Sequence, residues 1–389
     1  MRKRVLISHP RVRPVGGGNA VAAWVLQTLR SDFEVTLATI EPVDHRAVNR
    51  SFGTSLSQGD FEVRIAPERH LRRMRWIPTS GALLELCLTM RWAQELDESE
   101  DYDVLFSTSN EMDFHRRGIQ YVHYPWLFMP RPDSEMRWYH QLPGMLFSYR
   151  AFCNAYARAT KEGLKRNLTI ANSQFVADRL RKTYGNDPVV VYPPIPGTFA
   201  DMPWEQRQPA MAAVGRVAPI KRWDMAMEIV ESVRRRGHDL ALTLIGHVDD
   251  AAYAARLQEL AASRPWFRLL FDLDRTTLLA ELAAHRYGIH AMQDEHFGIA
   301  PAELQRAGCI LFVHNSGGPV EIVGKDPRLA FDGVADAVEK IVRVLEDQAL
   351  ERELRSQVAE RRNVFSTDRF CESVHEIVTR FAQDPAARA

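Results

Sequence analysis

The sequence predicts an α/β protein of two doubly wound domains, each a parallel sheet with helices on both faces. Three observations carry this. Short β-type runs alternate with helical stretches along the whole chain. The alternation starts near residue 4, breaks at a polar, proline-containing segment and restarts near residue 211. The length, 389 residues, suits two domains at roughly 100–200 residues each. The expected division is 1–200 and 201–365, with a helical tail beyond.

In the first half, RVLISHP (4–10) reads as a buried strand. A glycine cluster, Gly16-Gly17-Gly18-Asn19, follows it, and AVAAWVLQTLR then has helical periodicity. FEVTLATI (33–40), DVLFSTS (103–109), IQYVHYP (119–125) and LTIANS (168–173) are further strand candidates. Helical stretches lie near 82–97 and 143–166. VVVYPPIP (189–196) ends in prolines that continue neither strand nor helix. GTFADMPWEQRQPA then reads as a linker, expected to act as a hinge near 197–209. In the second half MAAVGRV (211–217), LALTLIG (240–246), FRLLFDL, YGIHAMQ and CILFVHN read as strands. The helices between them are DMAMEIVESVRRRG, AAYAARLQELAASR, TTLLAELAAHR and IAPAELQRAG, and 335–383 is helical. Two such domains are expected to bind ligands at the carboxyl ends of their sheets.

Lys+Arg and Asp+Glu number 50 each, which argues against a protein that coats nucleic acid. The balance hides a split: residues 1–200 carry 26 basic and 21 acidic side chains, residues 201–389 carry 24 and 29. Biased codon usage and a half that faces something anionic both fit. Cys87, Cys153, Cys309 and Cys371 form no CxxC pair, so neither a zinc site nor a disulfide framework is expected. No window reaches ~18 uncharged apolar residues, and the apolar run near the N-terminus is too short for a signal peptide. A cytoplasmic protein is the expectation, with a peripheral location at the inner membrane face as an extension.

Several residues carry candidate chemistry. Glycines at 16–18, between a strand and a helix, let backbone N–H groups approach a phosphate, although a plain flexible turn fits too. Arg216 and Lys221, in GRVAPIK at a strand end, suit an anionic leaving group, or are two solvated charges. Glu295 and Glu303, eight apart, would accept hydrogen bonds from sugar hydroxyls if both face one pocket, or are helix-start acids that match the macrodipole. The Phe297, Gly298 and Ile299 amides between them lie at a helix start. His123 ends a strand in YVHYP, where a lone histidine is more often structural than functional. Asp101-Tyr102-Asp103 spells DxD, but without further acids it reads as a turn before a strand. Arg64, Arg69, Arg72, Arg73 and Arg75, beside Leu71, Met74 and Trp76, suit an anionic membrane surface or a solvated face.

Together these segments resemble retaining glycosyltransferase family 4, which has the GT-B fold. The resemblance rests on the glycine loop, the strand-end His123, GRVAPIK and EHFGIAPAELQRAGCILFVHNSGGP. YVHYP, YPP, GIHAMQDEHFGI and HNSGGP look most like the GDP-mannose-dependent α-1,2-mannosyltransferases of lipid-linked oligosaccharide assembly. The resemblance implies a metal-independent hexosyltransferase that uses a nucleotide sugar, GDP-mannose above all, and a glycan or lipid-linked acceptor. It implies that 366–389 crosses back to the first domain. It assigns Gly17 and Gly18 to donor phosphates and the acceptor side, and His123 to the donor sugar near the reacting carbon. Arg216 and Lys221 would hold the diphosphate. Glu295, with the backbone of Phe297, Gly298 and Ile299, would hold the sugar, and Glu303 the ribose. His296 departs from the proline common in relatives. A UDP-sugar transferase, a sugar-nucleotide epimerase on the same fold and a non-catalytic partner are the competing readings.

Overall fold

The structure is a computed structural model that describes residues 2–72, 82–129 and 144–384. It divides into two compact units, Met1–Pro196 with Thr367–Ala389, and Gly197–Ser366.

Unit 1 opens with β1 (Arg4–Ser8), α1 (Gly17–Leu29), β2 (Glu34–Thr39), α2 (His45–Phe52) and β3 (Glu62–Ile65). It continues through α3 (Glu68–Leu71), α4 (Ala82–Glu100), β4 (Val104–Ser107) and β5 (Ile119–Val122). Then come α5 (Met145–Ala157), α6 (Lys161–Arg166), β6 (Leu168–Ala171), α7 (Gln174–Tyr184) and β7 (Val189–Val190). The strands form one sheet in the order β3-β2-β1-β4-β5-β6-β7, and every pair is parallel. β1, β4 and β5 are almost wholly buried, which explains their near-continuous apolar sequences.

Unit 2 contains β8 (Gln208–Val214), α8 (Trp223–Arg235), β9 (Ala241–Gly246), α9 (Ala251–Ala262), β10 (Phe267–Phe271) and α10 (Arg275–Ala283). β11 (His285–His290), α11 (Ile299–Arg306), β12 (Ile310–His314), α12 (Pro319–Ile322) and β13 (Ala330–Phe331) follow. α13 (Val334–Glu346) and α14 (Gln348–Arg361) close it. Its parallel sheet runs β10-β9-β8-β11-β12-β13. The last helix, α15 (Thr367–Gln383), belongs to unit 1. There Phe370, Val374, Val378 and Phe381 join the core that holds α1 and β1.

Three expectations change. The stretch 143–166 is two helices, because Arg158 adopts φ of 52° and the Thr160 hydroxyl accepts the Gly163 N–H to start α6. The segment taken as a linker is in part core: Trp204 is buried with its ring 5.9 Å from Tyr287, and β8 begins at Gln208. The charged edge strand β3 and the polar helices α2 and α7 were not among the expected elements, although α2 buries Val48 and Phe52 and α7 buries Val176, Ala177, Leu180 and Tyr184. Among the described residues no helix is long and apolar enough to cross a membrane.

Candidate functional site

In unit 1 the strand order reverses between β1 and β4, and the residues that follow these strands meet there. Gly16 precedes α1 with φ of 93°, so Gly17 and Gly18 form the first residues of the helix. A Cβ at Gly18 would lie 3.4 Å from His123 Nε2, so the glycine loop and His123 are neighbours. His123 follows β5. Its backbone N–H donates to Asn110 Oδ1 at 2.7 Å, and its Nε2 lies 3.1 Å from the Thr108 carbonyl. A carbonyl only accepts, so Nε2 carries the proton and Nδ1 stays an acceptor. Burial lowers the His123 pKa to about 4, which keeps the ring neutral at physiological pH.

His9, which the sequence did not single out, extends this arrangement. Asn19 donates through Nδ2 to the Val15 carbonyl at 2.5 Å, which leaves Oδ1 to accept from His9 Nε2 at 2.9 Å. His9 Nδ1 then accepts from the Thr108 hydroxyl at 3.0 Å. Burial lowers this pKa to about 4 as well, against the opposing Asn19 bond. A neutral histidine thus ties the glycine loop to the ends of β1 and β4.

In unit 2 the order reverses between β8 and β11. Gly246, ending β9, is obligatory: a Cβ there would meet the Gly215 carbonyl oxygen at 1.8 Å. The turn after Gly215 carries Arg216, half exposed and paired with Asp249 at 2.6 Å. Lys221 ends a tight turn over Pro219–Lys221. Its ammonium pairs with the Glu295 carboxylate, both side chains being under one-fifth exposed, and donates to Met292 Sδ at 3.3 Å. His290, at the end of β11, places Nε2 3.6 Å from Glu295 Oε2. Burial alone would raise the Glu295 carboxyl, but Lys221 and His290 outweigh it and hold it below the usual carboxylate range. Burial lowers the His290 pKa, with Lys221 adding to the effect and Glu295 opposing it.

The Glu295 loop is braced by the Asn315–Gly318 turn. Gly318 N–H donates to the Glu295 carbonyl at 2.8 Å, and Asp294 N–H donates to Ser316 Oγ at 2.8 Å. A Cβ at Gly317 would lie 2.3 Å from the Glu295 carbonyl oxygen, and one at Gly318 2.5 Å from that of His296. Both glycines of HNSGGP are therefore required by close approach.

Gly298, φ 99°, precedes α11, whose first residue is Ile299. Pro301 sits in the first turn, where a proline is tolerated. The Phe297 ring is buried against Phe365, 5.7 Å between centroids, so its side chain serves the core and only its backbone remains for a ligand. Glu303 is buried on α11 and pairs with Arg275 at the start of α10. Glu295 and Glu303 thus engage different cations within one unit.

Asp101-Tyr102-Asp103 is the turn before β4: Asp103 accepts the Arg4 backbone N–H at 2.8 Å, and Tyr102 is buried. Arg64 pairs with Glu62 and Glu100, and Arg69 with Glu95 at 2.7 Å. Arg72 is exposed, while Arg73, Met74, Arg75 and Trp76 lie outside the described residues. Among the described residues no three His, Cys, Asp or Glu side chains gather as a metal site.

Residues 197–362 match the family "Glycosyl transferases group 1". Curated relatives include the GDP-Man:Man(3)GlcNAc(2)-PP-Dol alpha-1,2-mannosyltransferase of Mus musculus, 27% identical over 39% of this chain and 35% of the relative. The Caenorhabditis elegans protein of the same name is 22% identical over 83% of this chain and 78% of its own length. The chain thus spans little more than a third of several of the curated relatives it matches. Among solved structures, WaaG, a glycosyltransferase involved in lipopolysaccharide biosynthesis, superposes with a TM-score of 0.64 over 96% of this chain and 99% of its own, at 15% identity. Anabaena Alr3699/HepE in complex with UDP and glucose gives 0.61 over 97% and 100%, at 14%. The fold is GT-B.

Proposed function

We propose that this chain, whose residues 197–362 match the family "Glycosyl transferases group 1", is a retaining hexosyltransferase that takes mannose from GDP-mannose without a metal. Its acceptor is a glycan or a lipid-linked sugar. The observation that carries the reading is the Lys221–Glu295–His290 cluster at the carboxyl ends of β8 and β11, braced by two obligatory glycines. The mannosyltransferase relatives support the choice of donor.

Each residue then has a task. Lys221 and Arg216 neutralise the diphosphate as the bond from sugar to phosphate breaks. Their present partners, Glu295 and Asp249, are carboxylates that a diphosphate oxygen replaces. Glu295, kept ionised, accepts hydrogen bonds from the sugar hydroxyls, together with the backbone at Phe297, Gly298 and Ile299. Glu303 accepts from the ribose hydroxyls. Gly17 and Gly18 offer the N-terminal amides of α1, and neutral His123 offers Nδ1 as an acceptor towards the sugar. The acceptor hydroxyl attacks on the face the diphosphate leaves, and its proton passes to the departing phosphate oxygen. The new bond keeps the configuration of the old.

The test is incubation of the protein with labelled GDP-mannose and a lipid extract. An α-linked mannosyl product together with free GDP is expected. Isomerised sugar nucleotide with no transfer would support an epimerase and contradict the proposal.

A further inference from the structure

A second cation-rich pocket lies elsewhere in unit 2. Asp201, Met202, Pro203, Trp204, Arg207 and Gly308 line it on one side, and Arg355, Val358, Ala359 and Arg362 of the α14 region on the other. Its volume is about 260 Å³. None of these residues belongs to the group assigned to the donor.

Three guanidinium groups share this pocket in a unit that is acidic as a whole. Arg207 is only 7% exposed. Its bonds go to neutral carbonyls, Met202 at 3.0 Å and Ala307 at 2.9 Å, and among the described residues no carboxylate pairs with it. Burial lowers its pKa, and Arg362 and Arg355 push in the same direction, while Cys309 and Asp201 oppose. A buried cation with two like charges beside it is unfavourable unless an anion completes the site. The acids nearby are poorly placed to do so. Asp201 meets Arg362 at 3.1 Å and Glu205 meets Arg355 at 3.7 Å, but these carboxylates are 92% and 77% exposed.

The local construction favours arginine here. Gly308, φ 91°, makes room for Arg207, since a Cβ would lie 2.9 Å from its Nη2. Trp204 orders the cluster, with the Arg355 guanidinium carbon 4.7 Å, Arg286 5.6 Å and Arg207 6.0 Å from its ring centroid. Capping the end of α11 at Ala307 explains why Arg207 is buried. Arg362 shares that task, its Nε donating to the Arg306 carbonyl at 2.9 Å, but capping does not explain why Arg355 lines the same pocket.

We infer that Trp204, Arg207, Arg355 and Arg362 form a binding site for the phosphoryl group of a small molecule, separate from the donor site. Planar guanidinium forks match phosphate oxygens in pairs, and three of them suit a phosphate dianion or a diphosphate better than a single carboxylate. A bound phosphoryl group would join the 201–204 segment to α14.

The experiment is calorimetric titration of inorganic pyrophosphate, and in parallel inorganic phosphate, at constant ionic strength. The protein carries Lys221→Ala so that the donor site does not contribute. Saturable binding of either anion is expected, weakened at least about tenfold when Arg355→Gln and Arg362→Gln are added. No saturable binding of either anion, or equal affinity with and without the two substitutions, overturns the inference. Should circular dichroism show the Gln pair unfolded, Arg355→Lys with Arg362→Lys takes its place. That pair keeps the charge and loses the fork, and the same weakening or its absence decides.

Discussion

At the residue scale, the Lys221–Glu295 pair governs what a substitution does. Lys221→Ala removes the cation assigned to the leaving group and also releases Glu295 from the charge that holds its carboxyl low. Turnover should fall at least about 100-fold, as for other losses of transition-state charge stabilisation, while circular dichroism stays native. Lys221→Arg should recover part of the rate; wild-type turnover in Lys221→Ala would remove the residue from the mechanism. Lys221, Glu295 and Glu303 were singled out through the resemblance of GRVAPIK and EHFGIAPAE to family segments, since spacing alone left solvated charges and helix-start acids as readings. His9, Asn19 and His290 were not. His9 and His290 are single polar residues at strand ends and Asn19 sits in the first turn of α1. Their importance comes from contacts of His9 with Thr108 and Asn19, and of His290 with Glu295, that only the fold creates.

At the element scale, turns carry the site and the sheets place the turns. Both sheets were legible from buried apolar runs, and the Gly-Gly turn of HNSGGP was visible as a motif. Its physical reason was not, because only the fold brings it against the Glu295 backbone. Gly317→Ala would put a methyl group 2.3 Å from the Glu295 carbonyl oxygen at φ of 77°. It should cost about 1–3 kcal/mol, seen as a lower Tm, and should weaken donor binding more than Gly333→Ala, where nothing lies within 4 Å of the added carbon. Equal donor affinity in the two variants would mean that the turn does not position Glu295. The linker was misread because proline and polar residues mask the buried Trp204. The break between α5 and α6 was missed because it rests on one left-handed arginine and one capping threonine.

At the scale of the whole molecule, net charge divides with the fold. Unit 1 carries 29 basic and 25 acidic side chains, and unit 2 carries 21 and 25. The proposed anionic donor would therefore be held in unit 2 by local cations and amides against the overall charge. Stability should follow His9, which is buried, and His123, which is partly buried. His9 and His123 have folded pKa values of about 4 against 6.5 unfolded. Between those values the unfolded chain binds more protons, so their contribution is complete above pH 6.5 and is lost as pH falls towards 4. Glu111, raised by burial to about 7 from 4.5, runs the other way and favours folding at low pH. Two histidines outweigh one carboxyl, so Tm should drop between about pH 6.5 and 4; a constant Tm would show that the histidines are not held neutral. The proposed donor is tested most directly by melting the protein with GDP-mannose and, separately, with UDP-glucose, since a ligand of the native state raises Tm. A saturable rise with GDP-mannose that far exceeds the rise with UDP-glucose, and is lost in Lys221→Ala, is predicted. A larger rise with UDP-glucose, or none with GDP-mannose, would contradict the account.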